Sequence, residues 1–213
     1  MMEAVSTKQL QSALAQAAAQ IVEAEPYLTE VDTVIGDGDH GTGMRAGFSA
    51  LGKQLAAQEY TDPYSLLHAS GLCLVRSMGG ASGVLFGTLL IGGLDELSRE
   101  DSLSAASLVA FFGKSIDTIQ RRGRADPGDK TMVDALLPAL AAMRQELETT
   151  GDIPRILHAA WQGALQGVEN TKEMMPSKGR SKNFREKAIG YPDPGAISVS
   201  IIFRALYDGI KEQ

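Results

Sequence analysis

The sequence predicts an all-α fold, a single-domain antiparallel bundle of about eight helices, and three observations carry that prediction. Apolar residues recur at helical spacing along most of the chain, prolines and capping side chains mark helix starts, and no β-α-β alternation appears. The last point argues against a Rossmann or P-loop sheet. With 213 residues and 44% apolar content, the chain can bury a full core and is too apolar to stay disordered.

The first helix opens at Ser6, where Ser6 and Gln9 have capping-box spacing and Leu10, Leu14, Ala17 and Ile21 share a face. A second runs from near Gly41 to about Gln58, and the Leu-, Ala- and Met-rich segments 64–78, 82–98, 103–122 and 131–149 follow. Thr131 with Asp134 marks one start; Asp152 before Pro154 marks another, of a helix reaching Met175. The last helix opens at Asp193-Pro194-Gly195, a capping carboxylate ahead of a proline at the first helical position. Its Ile197, Val199 and Ile201 alternate with Ser198 and Ser200 as a strand would, but the Asp-Pro start and Ala205-Leu206-Ile210 favour a helix.

Four loops carry unusual chemistry: 28–40, 77–82, 123–130 and 176–193. Each precedes an even-numbered helix of the eight, so an up-and-down bundle gathers all four at one end. The first contains Asp32, Asp37 and Asp39 with glycines at 36, 38 and 41. Glycine allows the tight folding that would converge the carboxylates, and their mutual repulsion then calls for a hard cation such as Mg²⁺. An EF-hand starting at Asp37 fails because Phe48 stands where a glutamate is needed. His40, at the adjoining helix start, suits a phosphate contact or a capping role equally.

In the second loop, Gly79-Gly80-Ala81-Ser82-Gly83 leads into a helix, where exposed N–H groups and the helix dipole favour an anion. The third, Gly123 to Thr131, is a near miss for a Walker A motif because Asp129 separates Gly128 from Lys130; it is read as a glycine turn near a ligand, with Met132 as an apolar contact to a planar base. The fourth is basic within a chain of net charge −6, and Arg180, after Gly179, is its best candidate to pair with phosphate during phosphoryl transfer.

The acidic balance argues against nucleic acid or an anionic membrane as partner, and the longest apolar run, Val84 to Leu94, is too short to span a bilayer. The lone Cys73 permits no internal disulfide, and the N-terminus has no basic region followed by an apolar one. A cytoplasmic location is expected.

In sequence order, Gly36-Asp37-Gly38-Asp39-His40-Gly41, Gly79-Gly80-Ala81-Ser82-Gly83, Pro127-Gly128-Asp129-Lys130-Thr131-Met132, Lys178-Gly179-Arg180 and Asp193-Pro194-Gly195-Ala196 resemble the nucleotide-binding L subunits of dihydroxyacetone kinases. The resemblance implies an eight-helix barrel binding ADP or ATP at one end through two Mg²⁺ ions. It implies metal ligation by Asp32, Asp37 and Asp39, and nucleotide contacts from His40, Gly41, Thr42, Gly43, Ala81, Ser82, Gly123, Met132, Arg180, Asp193, Pro194 and Gly195. Some members carry asparagine where this chain has Gly43, so a side-chain contact is lost there. The implied role is to pass the terminal phosphoryl group to a small ketose held on a separate K subunit, with an M subunit carrying phosphohistidine recharging the nucleotide in some systems. Two other readings use the same pocket: a non-catalytic ADP/ATP sensor docking on a regulator, and an Mg²⁺-dependent phosphatase with Asp37 as nucleophile.

Overall fold

The structure, a computed structural model, describes residues 1–212. Among them lie nine α-helices: α1 (Thr7–Glu23), α2 (Glu25–Ile35), α3 (His40–Ala57), α4 (Pro63–Ser77), α5 (Gly80–Ile91), α6 (Ala105–Gly123), α7 (Val133–Thr149), α8 (Ile153–Thr171) and α9 (Pro194–Lys211). Two three-residue strands, β1 (Ala4–Ser6) and β2 (Ser102–Ser104), pair antiparallel ahead of α1 and α6. No described helix is long and apolar enough to cross a membrane.

Eight of the helices form a closed ring. Each of α3 to α9 packs on the next, and α9 and α3 both pack on α1, which closes the circle. The ninth, α2, lies outside that ring against α3 and α9. Most of its sequence was expected to belong to the acidic loop 28–40, so the true connection before α3 is only Gly36 to Asp39 and Asp32 is carried on a helix. Leu28, Asp32 and Ile35 are its buried positions, a helical stripe in which a carboxylate occupies a core place.

Local chemistry accounts for most boundaries. Ser6 and Gln9 form the capping box at α1. Asp193 accepts from the Ala196 amide at 2.8 Å, with Pro194 opening α9. Asp152 precedes α8 but turns its carboxylate to the Met2 amide (2.6 Å), fastening the N-terminal strand. That helix ends at Thr171, four residues short of the expected Met175. The segment expected to run to residue 98 stops at Ile91, where Gly92 forms the C-cap and Gly93 follows, packed so closely on α6 that a Cβ there would lie 2.1 Å from the Phe111 carbonyl oxygen. A 3-10 turn over Leu94–Glu96 follows. In α9, Ser198 and Ser200 are as buried as their apolar neighbours and donate to Pro194 and Ile197 carbonyls of their own helix (3.1 and 2.8 Å). The alternation therefore describes a helix buried on most of its circumference.

The ring encloses one apolar core drawn from all eight ring helices, including Leu14, Met44, Leu66, Phe86, Phe111, Leu136, Ile156 and Phe203. Where α4 meets α5 the backbones touch: a Cβ at Gly71 would lie 2.8 Å from the Gly87 carbonyl oxygen and 2.3 Å from an Ile91 methyl. A Cβ at Gly43 of α3 would meet nothing within 4 Å. The same substitution should therefore act oppositely at the two sites. Gly71→Ala should destabilise by about 1–3 kcal/mol through overpacking, whereas Gly43→Ala should stabilise by about 0.5–1 kcal/mol through helix propensity. Thermal melts of the two variants check this; equal signs would contradict the packing described.

Candidate functional site

Alternation of direction around the ring places the connections α2–α3, α4–α5, α6–α7 and α8–α9 at one end, around a cleft of about 1190 Å³. All four chemically unusual loops line it.

At the mouth, Asp32 from the last turn of α2 and Asp37 and Asp39 from the loop bring carboxylate oxygens within 4.8 Å of one another. Gly38, at φ +76, makes the turn between the two loop aspartates. Asp32 is buried and accepts from the His40 amide at 3.1 Å, which fixes it against the first turn of α3. At such separations each pair of charges repels by about 1 kcal/mol in water, rising to about 4 kcal/mol at the effective dielectric of a protein surface. Partial burial, then the charges of Asp37 and Asp32, raise the Asp39 carboxyl above its ordinary range, while Arg180 pulls it back. Arg180 itself reaches from the α8–α9 loop to Asp37, Nε to Oδ2 3.1 Å, with its side chain largely in solvent. One guanidinium faces three carboxylates, and no other described basic side chain forms an ion pair with them. The donor set is all oxygen, the type that hard divalent cations prefer.

Beside the acids stands the N-terminus of α5. Gly79 is its N-cap and provides no side chain, Gly80 takes φ +64, and Ala81 and Ser82 face the cleft. The first amides of α5 have no capping side chain, and the positive end of the helix dipole points the same way. The wall beyond is apolar, formed by Leu85, Ile119, Ala125, Met132 and Val133. One end of the cleft thus suits cations and phosphate oxygens and the other a flat apolar group.

Asp32, Asp37, Asp39, His40, Thr42, Gly43, Ala81, Ser82, Gly123, Met132, Arg180, Asp193, Pro194 and Gly195 all line this cleft. Gly41 does not: it is buried against α2, where a Cβ would come within 2.5 Å of the Glu25 carbonyl oxygen. Its lack of a side chain lets α2 hold Asp32 close to α3. His40 is half-buried, with Nε2 at 2.8 Å from Ser198 Oγ, tying the start of α3 to that of α9. Burial lowers its pKa, against the opposing pull of Asp32 and a hydrogen bond to the Pro194 carbonyl. Thr42 donates to the Asp39 carbonyl at 2.9 Å.

Among the lining residues to which the sequence reading gave no role are two cations. Arg122 borders the apolar half and donates to Thr88 Oγ1 at 3.0 Å. Lys130 is fully buried in the left-handed conformation (φ +59) and donates to the Thr171 and Tyr191 carbonyls, the latter at 2.7 Å. Asp134 binds the same turn, accepting from the Gly128 and Thr131 amides at 2.6 and 2.8 Å. Desolvation lowers the Lys130 pKa, opposed by Asp193 and Asp134. The lysine appears in the sequence only within the near-miss Walker A turn and the Pro127-to-Met132 motif of the resemblance, and neither gave it a role.

Burial pushes the Asp193 carboxyl up to about 7, with Asp134 and Asp32 adding to the rise and the Ala196 amide and Lys130 opposing it. A carboxyl raised in the fold above its unfolded value of about 3.9 stabilises fully below that value, and the benefit is lost as pH climbs through the folded pKa. Asp193→Asn keeps the cap without the charge. The melting temperature of the parent minus that of Asp193→Asn should therefore be more positive at pH 5 than at pH 8. A difference that is flat or grows with pH would contradict the assignment.

Residues 34–208 match the family described as the DAK2 domain. The chain is 39% identical over 186 residues to the ADP-binding subunit DhaL of the PEP-dependent dihydroxyacetone kinase of Escherichia coli, covering 87% of this chain and 89% of that protein. It is 33% identical to a corresponding Listeria innocua subunit, with 88% of each covered. Among solved structures, the dihydroxyacetone kinase of C. freundii in complex with AMP-PNP and Mg²⁺ superimposes with TM-score 0.76 at 26% identity, over 100% of this chain and 35% of that one.

Proposed function

The chain belongs to the DAK2 domain family, and on that footing we propose that it is the nucleotide-carrying subunit of a multi-subunit kinase for dihydroxyacetone or a similar small ketose. The observation that carries this reading is the juxtaposition, in one cleft, of three carboxylates, an uncapped helix start, an apolar wall and an arginine on a basic loop. Residues 1–213 act as one L-type nucleotide-binding unit.

In this reading Asp32, Asp37 and Asp39 would hold two Mg²⁺ ions, which would supply positive charge for the phosphates of ADP or ATP. His40, Thr42 and Gly43, with the Ala81-Ser82 helix start, would surround the phosphates, while Gly41, packed against α2, serves only to hold Asp32 in place; Gly123, Met132 and the Asp193-Pro194-Gly195 turn would bound the nucleoside. Arg180, which pairs with Asp37 at 3.1 Å at the mouth of the cleft, would be the guanidinium that balances charge on the terminal phosphoryl group. The acceptor hydroxyl comes from a ketose on the K subunit, and a phosphohistidine-bearing M subunit recharges ADP in place. Phosphoryl transfer depends chiefly on positioning and electrostatics, so the chain needs no general base of its own. Location in the cytoplasm suits this exchange between protein partners.

The test is calorimetry with ADP in the presence and absence of Mg²⁺. Binding should require the metal, and Asp37→Ala should weaken it by at least about a hundredfold while leaving the fold intact, because one of three carboxylate ligands is gone and repulsion in the free protein is relieved. Equal affinity in parent and variant would remove the metal assignment. Nucleotide binding without sugar phosphate formation, in the presence of K and M subunits and a ketose, would favour a sensor instead.

A further inference from the structure

Between α8 and α9 the chain runs for 22 residues, from Lys172 to Asp193, with only two 3-10 turns, Ser181–Asn183 and Arg185–Ala188. It carries Arg180, whose place over the acids matters if that residue balances charge during transfer. A segment this long and irregular does not fix a guanidinium by itself.

What holds it comes from the α6–α7 loop. The Lys130 ammonium donates to the carbonyl of Thr171, where the segment leaves α8, and to that of Tyr191, just before it enters α9. It thereby joins the two ends at the neck, beside the bond from the Gly190 amide to the Lys172 carbonyl (2.7 Å). The neighbouring Asp129 takes hold further along. Its carbonyl accepts from the Ser177 amide at 3.2 Å, its carboxylate accepts from the Ser177 hydroxyl, and Lys178 Nζ lies 3.9 Å from the same carboxylate. The Ser177 hydroxyl, with the Asp126 amide and the Lys178 charge, holds the Asp129 carboxyl below its ordinary range against the opposing effect of burial. Two adjacent residues therefore seize the Arg180 segment at 171, 177–178 and 191.

The cost of the arrangement argues that it is specific. A fully desolvated ammonium is tolerated only when its donors are satisfied, and an apolar side chain there would leave the acceptors at Thr171 and Tyr191 without their partner. The left-handed backbone at 130 is a further expense for a non-glycine residue. An apolar residue would fill the same space without either donor.

We propose that Lys130, assisted by Asp129, is a positioning residue for Arg180, clasping both ends of its loop so that the guanidinium stands over the acidic cluster. The proposal rests on the transfer role assigned to Arg180 above. Lys130 touches no reacting atom in this account; it acts through the loop.

Lys130→Met removes the donors and keeps the stem. Trypsin reads the loop directly, since Lys178, Arg180, Lys182, Arg185 and Lys187 are all cleavable. Cleavage between 178 and 187 should accelerate at least about tenfold in the variant, as expected for local opening, with other sites unaffected. In the transfer assay with the ketose-bearing partner, kcat should fall about tenfold or more while Mg²⁺–ADP affinity stays within about threefold. The double variant Lys130→Met, Arg180→Ala should be no slower than Arg180→Ala alone, because residues acting as one unit are not additive.

If Lys130→Met does not fold, Asp129→Asn should give the same pattern in weaker form. Unchanged trypsin cleavage, an affinity loss as large as the rate loss, or additive effects of the two substitutions would overturn the proposal. A parental rate in Arg180→Ala would instead overturn the role of Arg180 itself.

Discussion

The constraint on which the site depends is the negative charge that three carboxylates concentrate at the mouth of a helical ring. Asp32 cannot retreat into solvent, because it is buried in α2 and bonded to the His40 amide. Asp37 and Asp39 lie beside it on a loop made short by Gly36 and Gly38. Arg180 compensates part of the charge from a loop joining the last two helices. Ligands that supply positive charge are thus favoured, and once cations are present the surroundings favour phosphate.

The ring explains how distant segments reach this point. Each of its helices reverses direction relative to its neighbours, so four connections far apart in sequence converge on one end and β1 and β2 pair ahead of helices that begin at the other. The far end is a place of fastening, where Asp152 binds the Met2 amide and Asp62 caps α4 through the Ser65 amide at 2.8 Å.

Much of this was legible in the sequence. Helical periodicity and capping residues located the eight ring helices, and the alternation of direction in a bundle grouped the four loops at one end. The ninth helix was hidden because its inward stripe, Leu28-Asp32-Ile35, has a carboxylate at a position where periodicity looks for an apolar side chain. The same residue is a member of the site, so function concealed the element that carries it. The end of α5 was marked locally by Gly92-Gly93, a signal that the apolar pattern continuing through Leu94 and Leu97 obscured. Lys130 was missed for a related reason: its partners are carbonyl groups 41 and 61 residues away, and backbone acceptors leave no mark on side-chain identity.

The most direct measurement is a crystal structure of the protein grown with Mn²⁺ and ADP, with anomalous scattering to locate the metal. The account predicts Mn²⁺ bound by carboxylate oxygens of Asp32, Asp37 and Asp39 and by diphosphate oxygens, with Arg180 drawn away from Asp37. Manganese bound elsewhere, with the three carboxylates and the Arg180–Asp37 pair undisturbed by a bound nucleotide, would contradict it.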